Sequence, residues 1–372
     1  MTEKIRVGIL FGGRSSEHEV SLMSATSVLA VLDAQKYEVT PIGITRQGQW
    51  FIGENVLEAL KKRDFAGLTH VALIAEPENH ILYTVQETGG KLELNPHAEL
   101  DVIFPVLHGP FGEDGTLQGL FEVMDLAYVG AGVLGSSVGM DKALFKDVLR
   151  AHNLPVVPSK VFTLKQIESD LDAVLRQAEE IADYPLFTKP VNLGSSVGIS
   201  KCHNAAELRQ GILNAARFDR RVLVEKGINA REIEVSVLGN DDPQASAPGE
   251  IVPSDEFYTY AAKYLDGMSQ LIIPAELDMG LINRIRSLAV EAFTAADCAG
   301  MARVDFLLDR DTQDIYLNEI NTIPGFTQIS MYSKLWEASG LPYDQLVNHL
   351  IRFALERRKE SNRTKHRAGS EA

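Results

Sequence analysis

Residues 318–327 read NEINTIPGFT, an apolar-polar run that ends in a Pro-Gly turn. Side chains alternate along a strand, so Glu319 and Asn321 share one face just before the turn. A solvated strand end accounts for such a pair, and so does a site that needs oxygen ligands. The preceding run ARVDFLLD (302–309) is a second strand, joined to IYLNEIN (315–321) by the turn residues RDTQD. In a hairpin of the two, Arg303 and Asp305 share a face, and Asp305 falls opposite Glu319 or Asn321. Cβ atoms about 5 Å apart place two carboxylates where they repel by about 3 kcal/mol at an effective dielectric near 20. Arg303 offsets one of them. A hard divalent cation such as Mg²⁺ uses all the oxygens at once, with phosphates completing its shell. A wet hairpin surface is the plain alternative.

Around this hairpin the chain alternates β-type runs with helical patterns, which indicates an α/β fold. RVGILFG (6–12), YEVTPIGIT (37–45), HVALIA (70–75) and DVIFPVLHG (101–109) read as strands. SLMSATSVLAVLDA (21–34) reads as an amphipathic helix, and residues 79–95 as a hairpin. The expected units are an N-terminal α/β domain (1–131), a central α+β domain (132–225) and a C-terminal domain (226–357). A long helix is expected over 165–182, and a disordered charged tail over 358–372.

The 372 residues are 45% hydrophobic, enough for more than one core, and the formal charge of −15 opposes a nucleic-acid partner. The two cysteines, Cys202 and Cys298, have no metal-binding spacing, and no apolar run approaches the 18 or so residues of a membrane span. These features point to a cytoplasmic protein with no membrane or nucleic-acid partner.

A metal shared with phosphates requires a phosphate-binding element. GSSVGMDK (135–142) fails the P-loop pattern, and Gly8, Gly12 and Gly13 do not form the dinucleotide fingerprint. KPVNLGSSVGISK (189–201) remains: Lys189 ends a strand, and a loop with Gly194, Ser195, Ser196 and Gly198 leads to the next. Such a loop folds over a triphosphate with its N–H groups, or it is an ordinary hairpin turn. VLVEKGINAREIEV (222–235) closes one strand at Glu225 and Lys226 and opens the next with Glu232, offering backbone to a base and a carboxylate to a ribose. GGRSSEHEVSL (12–22) and HGPFGEDGTLQGL (108–120) both follow strands, at the edge where open α/β sheets bind ligands.

These motifs, with MDK (140–142), YAAKY (260–264) and MARVD (301–305), occur in the order and spacing found in D-alanine-D-alanine ligases of the ATP-grasp superfamily. The sequence resembles that family from about residue 4 to residue 356. The resemblance implies three α/β domains, an open parallel N-terminal sheet, and ATP held between two antiparallel sheets. It assigns Lys142, Lys189 and Ser196 to the phosphates, Glu225, Lys226 and Ile228 to the adenine, and Glu232 to the ribose. Asp305, Glu319 and Asn321 take two Mg²⁺ ions, with Mn²⁺ as a substitute. Arg303 and the N–H of Gly325 stabilise the oxyanion. Glu17 holds the first D-alanine's ammonium in a set with Ser195 and Tyr264, His108 lies near that substrate, and Lys263 sits on a closing loop. Ser330 and the backbone of Met331, where relatives often carry leucine, take the second D-alanine's carboxylate. The implied reaction joins two D-alanines at the expense of ATP for peptidoglycan precursor synthesis, in a homodimer. Retention of Tyr264 favours an amine nucleophile. Ligases using D-lactate or D-serine, and an idle nucleotide-binding regulator, are the rival readings.

Overall fold

A computed structural model describes residues 4–252 and 270–369. Three sheets organise them. The first has eight strands, of which Tyr37–Ile44, Ile5–Gly12, Val102–Val106 and Ala127–Tyr128 run parallel. The expectation of a parallel N-terminal sheet therefore holds for only half of it. Beyond Tyr37–Ile44 the order continues through Trp50–Ile52, Thr69–Leu73, Ile81–Thr88 and Lys91–Glu99, all antiparallel. These strands are joined by shorter connections that do not reverse the chain direction twice, as parallel neighbours require. The hairpin expected over 79–95 is present as Ile81–Thr88 paired with Lys91–Glu99, so it extends four residues further.

The second sheet is antiparallel, in the order Ser200–Cys202, Leu186–Pro190, Arg221–Lys226, Ser159–Thr163. The third is also antiparallel, with Gln270–Ile272, Gly249–Val252, Ala230–Gly239, Gly300–Asp309 and Ile315–Asn321 in order, and Gln244–Ala245 paired to Ala230–Gly239. Among the described residues no helix is long and apolar enough to cross a membrane.

The expected helix over 165–182 is two helices, Leu164–Ser169 and Leu171–Glu179. Asp170 breaks it, because its carboxylate accepts the backbone N–H of Ala173 at 2.8 Å and so caps the second helix. The charged tail also differs from expectation. A helix runs from Tyr343 to Gly369 without stopping at Arg358. Arg357 lies over the Tyr128 ring and donates to the carbonyls of Tyr128 and Gly130, while Arg358 pairs with Glu122 and Asp125 at 3.1 Å. Those contacts supply the anchoring that composition alone does not predict.

The cores cross the expected boundaries. Val7, Phe104 and Val106 share one apolar cluster with Met301, Phe326, Tyr332 and Leu350, so the first and third sheets are packed together. The helix Lys142–Ala151 sends Phe145 and Leu149 into the core beneath the third sheet. Its Ala143 packs instead on Val191 and Leu223 of the central unit. One helix thus joins the two antiparallel sheets, and it carries Lys142 at its start.

Candidate active site

Glu17 lies at the N-terminus of the helix His18–Val31, after the first strand. The turn before it needs glycine: Gly12 has φ +94°, and a Cβ there would lie 2.2 Å from the Ile44 carbonyl. Ser15 Oγ accepts the N–H of Glu17 at 3.1 Å and donates to the His108 carbonyl at 2.6 Å, which ties the two N-terminal loops together. Gly109 (φ +72°) is required for the same approach, since a Cβ there would stand 2.7 Å from Glu17 Oε2.

His108 is buried with both ring nitrogens engaged. Nδ1 lies 2.9 Å from the Ile323 carbonyl and must carry the proton, so Nε2 accepts from Ser24 Oγ at 3.1 Å. Burial pushes the imidazole below its ordinary pKa, although Glu17 pulls the other way. Glu113 completes the clamp. Its carboxylate accepts the N–H of Gly109 at 2.7 Å and that of Ile323 at 3.3 Å, and burial followed by the charge of Glu17 pushes it up to about 8. Glu113 and His108 therefore hold the N–H and the carbonyl of Ile323. Three residues on, Phe326 is fully buried, donates its N–H to Ser24 Oγ at 3.2 Å and accepts from Tyr343 Oη at 2.8 Å. Gly325 lies between two fixed points, so its backbone orientation is set before any ligand arrives.

The hairpin has the expected register, with Asp305 opposite Glu319 and Arg303 opposite Asn321. On the other side of Asp305 lies Glu234, so three carboxylates stand in a row across neighbouring strands. Arg303 offsets the first two: Nε and Nη2 each lie 2.7 Å from an Asp305 oxygen, and Nε is 3.0 Å from Glu234. Asn321 Nδ2 donates to Asp305 at 3.0 Å, leaving its carbonyl oxygen for another partner. Glu319 is 3.7 Å from Lys142 Nζ, which donates to the Leu193 carbonyl at 2.8 Å.

Among the described residues no group of three or more His, Cys, Asp or Glu side chains is arranged to hold a metal. Asp305, Glu319 and Asn321 are nonetheless an all-oxygen set in adjacent register positions. Two carboxylates and an amide suit Mg²⁺ only when phosphate oxygens complete the shell. The residues fit the ion on those terms.

A cavity of about 220 Å³ lies between the units, lined by Glu17, His108, Lys142, Ser195, Arg303, Glu319, Asn321, Gly325, Ser330 and Met331 among the expected residues. Asp305, gripped by Arg303, does not line it. Ser195 and Ser196 both adopt positive φ in the glycine-serine loop, and Gly194 brings that loop within van der Waals reach of Glu17. Ser195 Oγ is buried with no hydrogen-bond partner among the described residues. Ser330 precedes the helix Met331–Ala338 and accepts the N–H of Thr327 at 3.0 Å, so the free N–H groups of that helix start at the cavity wall. Met331 is buried beside Ile251 and Leu335, which leaves its backbone as the part that a ligand meets. Lys263 and Tyr264 lie outside the described residues.

Lys189, Glu225, Lys226, Ile228 and Glu232 lie away from this cavity's wall: the first three are on strands of the second sheet, Ile228 follows them, and Glu232 is on the third-sheet strand Ala230–Gly239. Lys189 pairs with Glu225, and Glu319 and Glu232 are close enough to hold its charge in place. Burial works against the Glu225 charge, yet Lys146 and Lys189 together bring its carboxyl down to about 2.

Comparison with known proteins fits this arrangement. The D-ala D-ala ligase N-terminus family matches residues 6–131, and the D-ala D-ala ligase C-terminus family matches residues 148–352. The chain belongs to the D-alanine-D-alanine ligase family. A D-alanine-D-alanine ligase of Natranaerobius thermophilus is 49% identical, covering 97% of this chain and 98% of its own. One from Chloroherpeton thalassium is 49% identical over 96% of this chain and 98% of its own. Among solved structures, the Coxiella burnetii D-alanine-D-alanine ligase has TM-score 0.83 and 34% identity over 100% of this chain and 99% of its own. The VanG D-Ala:D-Ser ligase of Enterococcus faecalis has the same score and identity over 95% and 100%. Within this ATP-grasp ligase frame, the motif reading had assigned no role to Glu113, Glu234 or Lys146. Each had a signal: Glu113 is inside HGPFGEDG, Glu234 follows Glu232 on the same strand face, and Lys146 is one helical turn past Lys142.

Proposed function

We propose that this enzyme joins two D-alanines into D-alanyl-D-alanine for peptidoglycan precursor synthesis, converting ATP to ADP and phosphate through a D-alanyl phosphate. The observation that carries the reading is the convergence on one cavity of Glu17, Arg303, Glu319 and the amide-rich start of the helix after Ser330.

Glu17 and the Ser195 hydroxyl receive the first D-alanine's ammonium, with Tyr264 as the third member of that set. The carboxylate of this substrate attacks the terminal phosphoryl of ATP. Lys142, Lys189 and the loop at Ser196 hold the phosphates, Glu225, Lys226 and Ile228 surround the adenine, and Glu232 holds the ribose. Two Mg²⁺ ions, with Mn²⁺ able to replace them, supply the charge that lets a carboxylate approach a triphosphate. Asp305, Glu319 and Asn321 would hold them, with Arg303 loosened from its two-point contact with Asp305.

The second D-alanine places its carboxylate at Ser330 and the N–H of Met331. Its amine attacks the acyl carbon and phosphate departs. Arg303 and the fixed N–H of Gly325 meet the tetrahedral oxyanion, so little reorganisation is left for the transition state. His108 and Glu113 act through the Ile323 peptide that they hold. Lys263 and Tyr264 belong to a loop that closes over the acyl phosphate and excludes water. The reaction belongs in the cytoplasm, and the active form is a homodimer of twice the 40.9 kDa chain mass.

D-serine as second substrate is the competing reading, because the VanG D-Ala:D-Ser ligase matches this chain as well as the Coxiella enzyme does. Phosphate release and product mass decide between them when the protein is given ATP, Mg²⁺ and D-alanine, with or without D-serine or D-lactate. The expected product is the D-alanine dipeptide in every mixture. ATP turnover indifferent to D-alanine contradicts the ligase reading, and nucleotide binding with no turnover favours an idle nucleotide binder.

A further inference from the structure

Lys146 is a buried cation with no part in the chemistry above. Its side chain is 1% exposed and its Nζ lies 3.3 Å from Glu225 Oε2, whose side chain is 3% exposed. The other oxygen of Glu225 pairs with Lys189, which keeps 11% exposure. Helix geometry explains the placement. Phe145 and Leu149 face the core under the third sheet, while Ala143 and Lys146 turn to the central sheet, where Glu225 sits opposite Phe187. Lys146 is not on the wall of the cavity described above.

Two cations on one buried carboxylate is more than the carboxylate needs, and a buried ion pair is commonly no more stable than apolar residues of equal size. The difference between the two lysines is mobility. Lys189 is the more exposed, ends a strand at the glycine-serine loop, and feels Glu319 and Glu232 as well as Glu225. Among the groups that act most strongly on Lys146, Glu225 is the acid, and Lys189 and Arg150 are cations. If Lys189 turned to a triphosphate and Glu225 had no second partner, a carboxylate in a dry interior would be left bare, at a cost taken from nucleotide binding.

We propose that Lys146 is a positioning residue that stays on Glu225 when Lys189 moves to the nucleotide phosphates, so that the handover leaves no unpaired charge inside the protein. The low pKa of Glu225, kept ionised by both lysines, is consistent with this division of labour. The proposal rests on the assignment of Lys189 to ATP.

Lys146→Met tests it in the full-length protein. Binding of a non-hydrolysable ATP analogue and the KM for ATP should weaken by roughly tenfold, while kcat and the KM for D-alanine stay within about twofold. Adding Glu225→Gln to Lys146→Met removes the stranded charge but keeps the backbone that Glu225 offers the base, since both oxygens of its side chain face the lysines, and should recover most of the analogue affinity. A merely structural lysine would give either unchanged analogue affinity or losses shared by both substrates and not recovered in the double variant, and either result overturns the proposal. If Lys146→Met does not fold, the double variant decides. Affinity near that of the parent supports the handover, and a tenfold loss refutes it. A parent protein that binds the analogue but releases no phosphate with D-alanine would refute the ligase reading and leave this pairing standing.

Discussion

Glu319 bears the largest burden of any single residue on the cavity wall. It closes a row of three carboxylates, of which Glu234 and Asp305 pair with Arg303, and it lies 3.7 Å from Lys142. Glu319→Gln keeps the shape but removes the charge a metal needs, so turnover should fall by at least about 100-fold. Its melting midpoint should not fall, because one of three adjacent like charges is gone. Undiminished turnover at limiting Mg²⁺ would remove Glu319 from the metal set. Glu113 makes a different prediction. Its carboxyl is raised to about 8 by burial and by Glu17, so the folded protein keeps a proton that the unfolded chain releases near the ordinary carboxyl pKa. That contribution to stability is fully present below the unfolded pKa and is lost as pH rises through about 8. Glu113→Gln carries no such proton, so its urea midpoint should change less between about pH 5 and about pH 8 than the parent's. An equal change in both proteins would show that Glu113 is ionised throughout.

At the scale of elements, the catalytic hairpin was legible because alternation is strict: Asp305, Glu319, Arg303 and Asn321 follow from period two once the turn at residues 310–314 is recognised. The break at Asp170 was not, since a capping aspartate and a surface aspartate look alike until the chain leaves helical geometry. The last helix was misread for a related reason. Its anchors, Tyr128, Glu122 and Asp125, lie more than 200 positions earlier in the chain, and local composition carries no trace of them. Arg357→Ala loses the stack over Tyr128 and two bonds to backbone carbonyls, and should cost about 2–3 kcal/mol in urea unfolding. A loss below about 0.5 kcal/mol would mean that the helix is held by its apolar face alone.

For the whole molecule, the sequence indicated three units, and the family shows an ATP-dependent ligase. What it did not indicate is that the units share cores, with Phe326 packing against Phe104 of the first sheet at 5.8 Å and against Tyr332 at the same distance. That packing is long-range, and it is what sets the NEINTIPGFT segment against the N-terminal loops. The same frame has Arg303 clamped on Asp305, whereas the proposed reaction has Asp305 facing a cation. The most direct measurement is therefore a crystal structure with Mg²⁺ and a non-hydrolysable ATP analogue. The account predicts cation density bonded to Asp305, Glu319 and Asn321 together with the terminal phosphates, and Arg303 released from its two-point grip on Asp305. Bound nucleotide with Arg303 still gripping Asp305, and no cation among those three side chains, would contradict it.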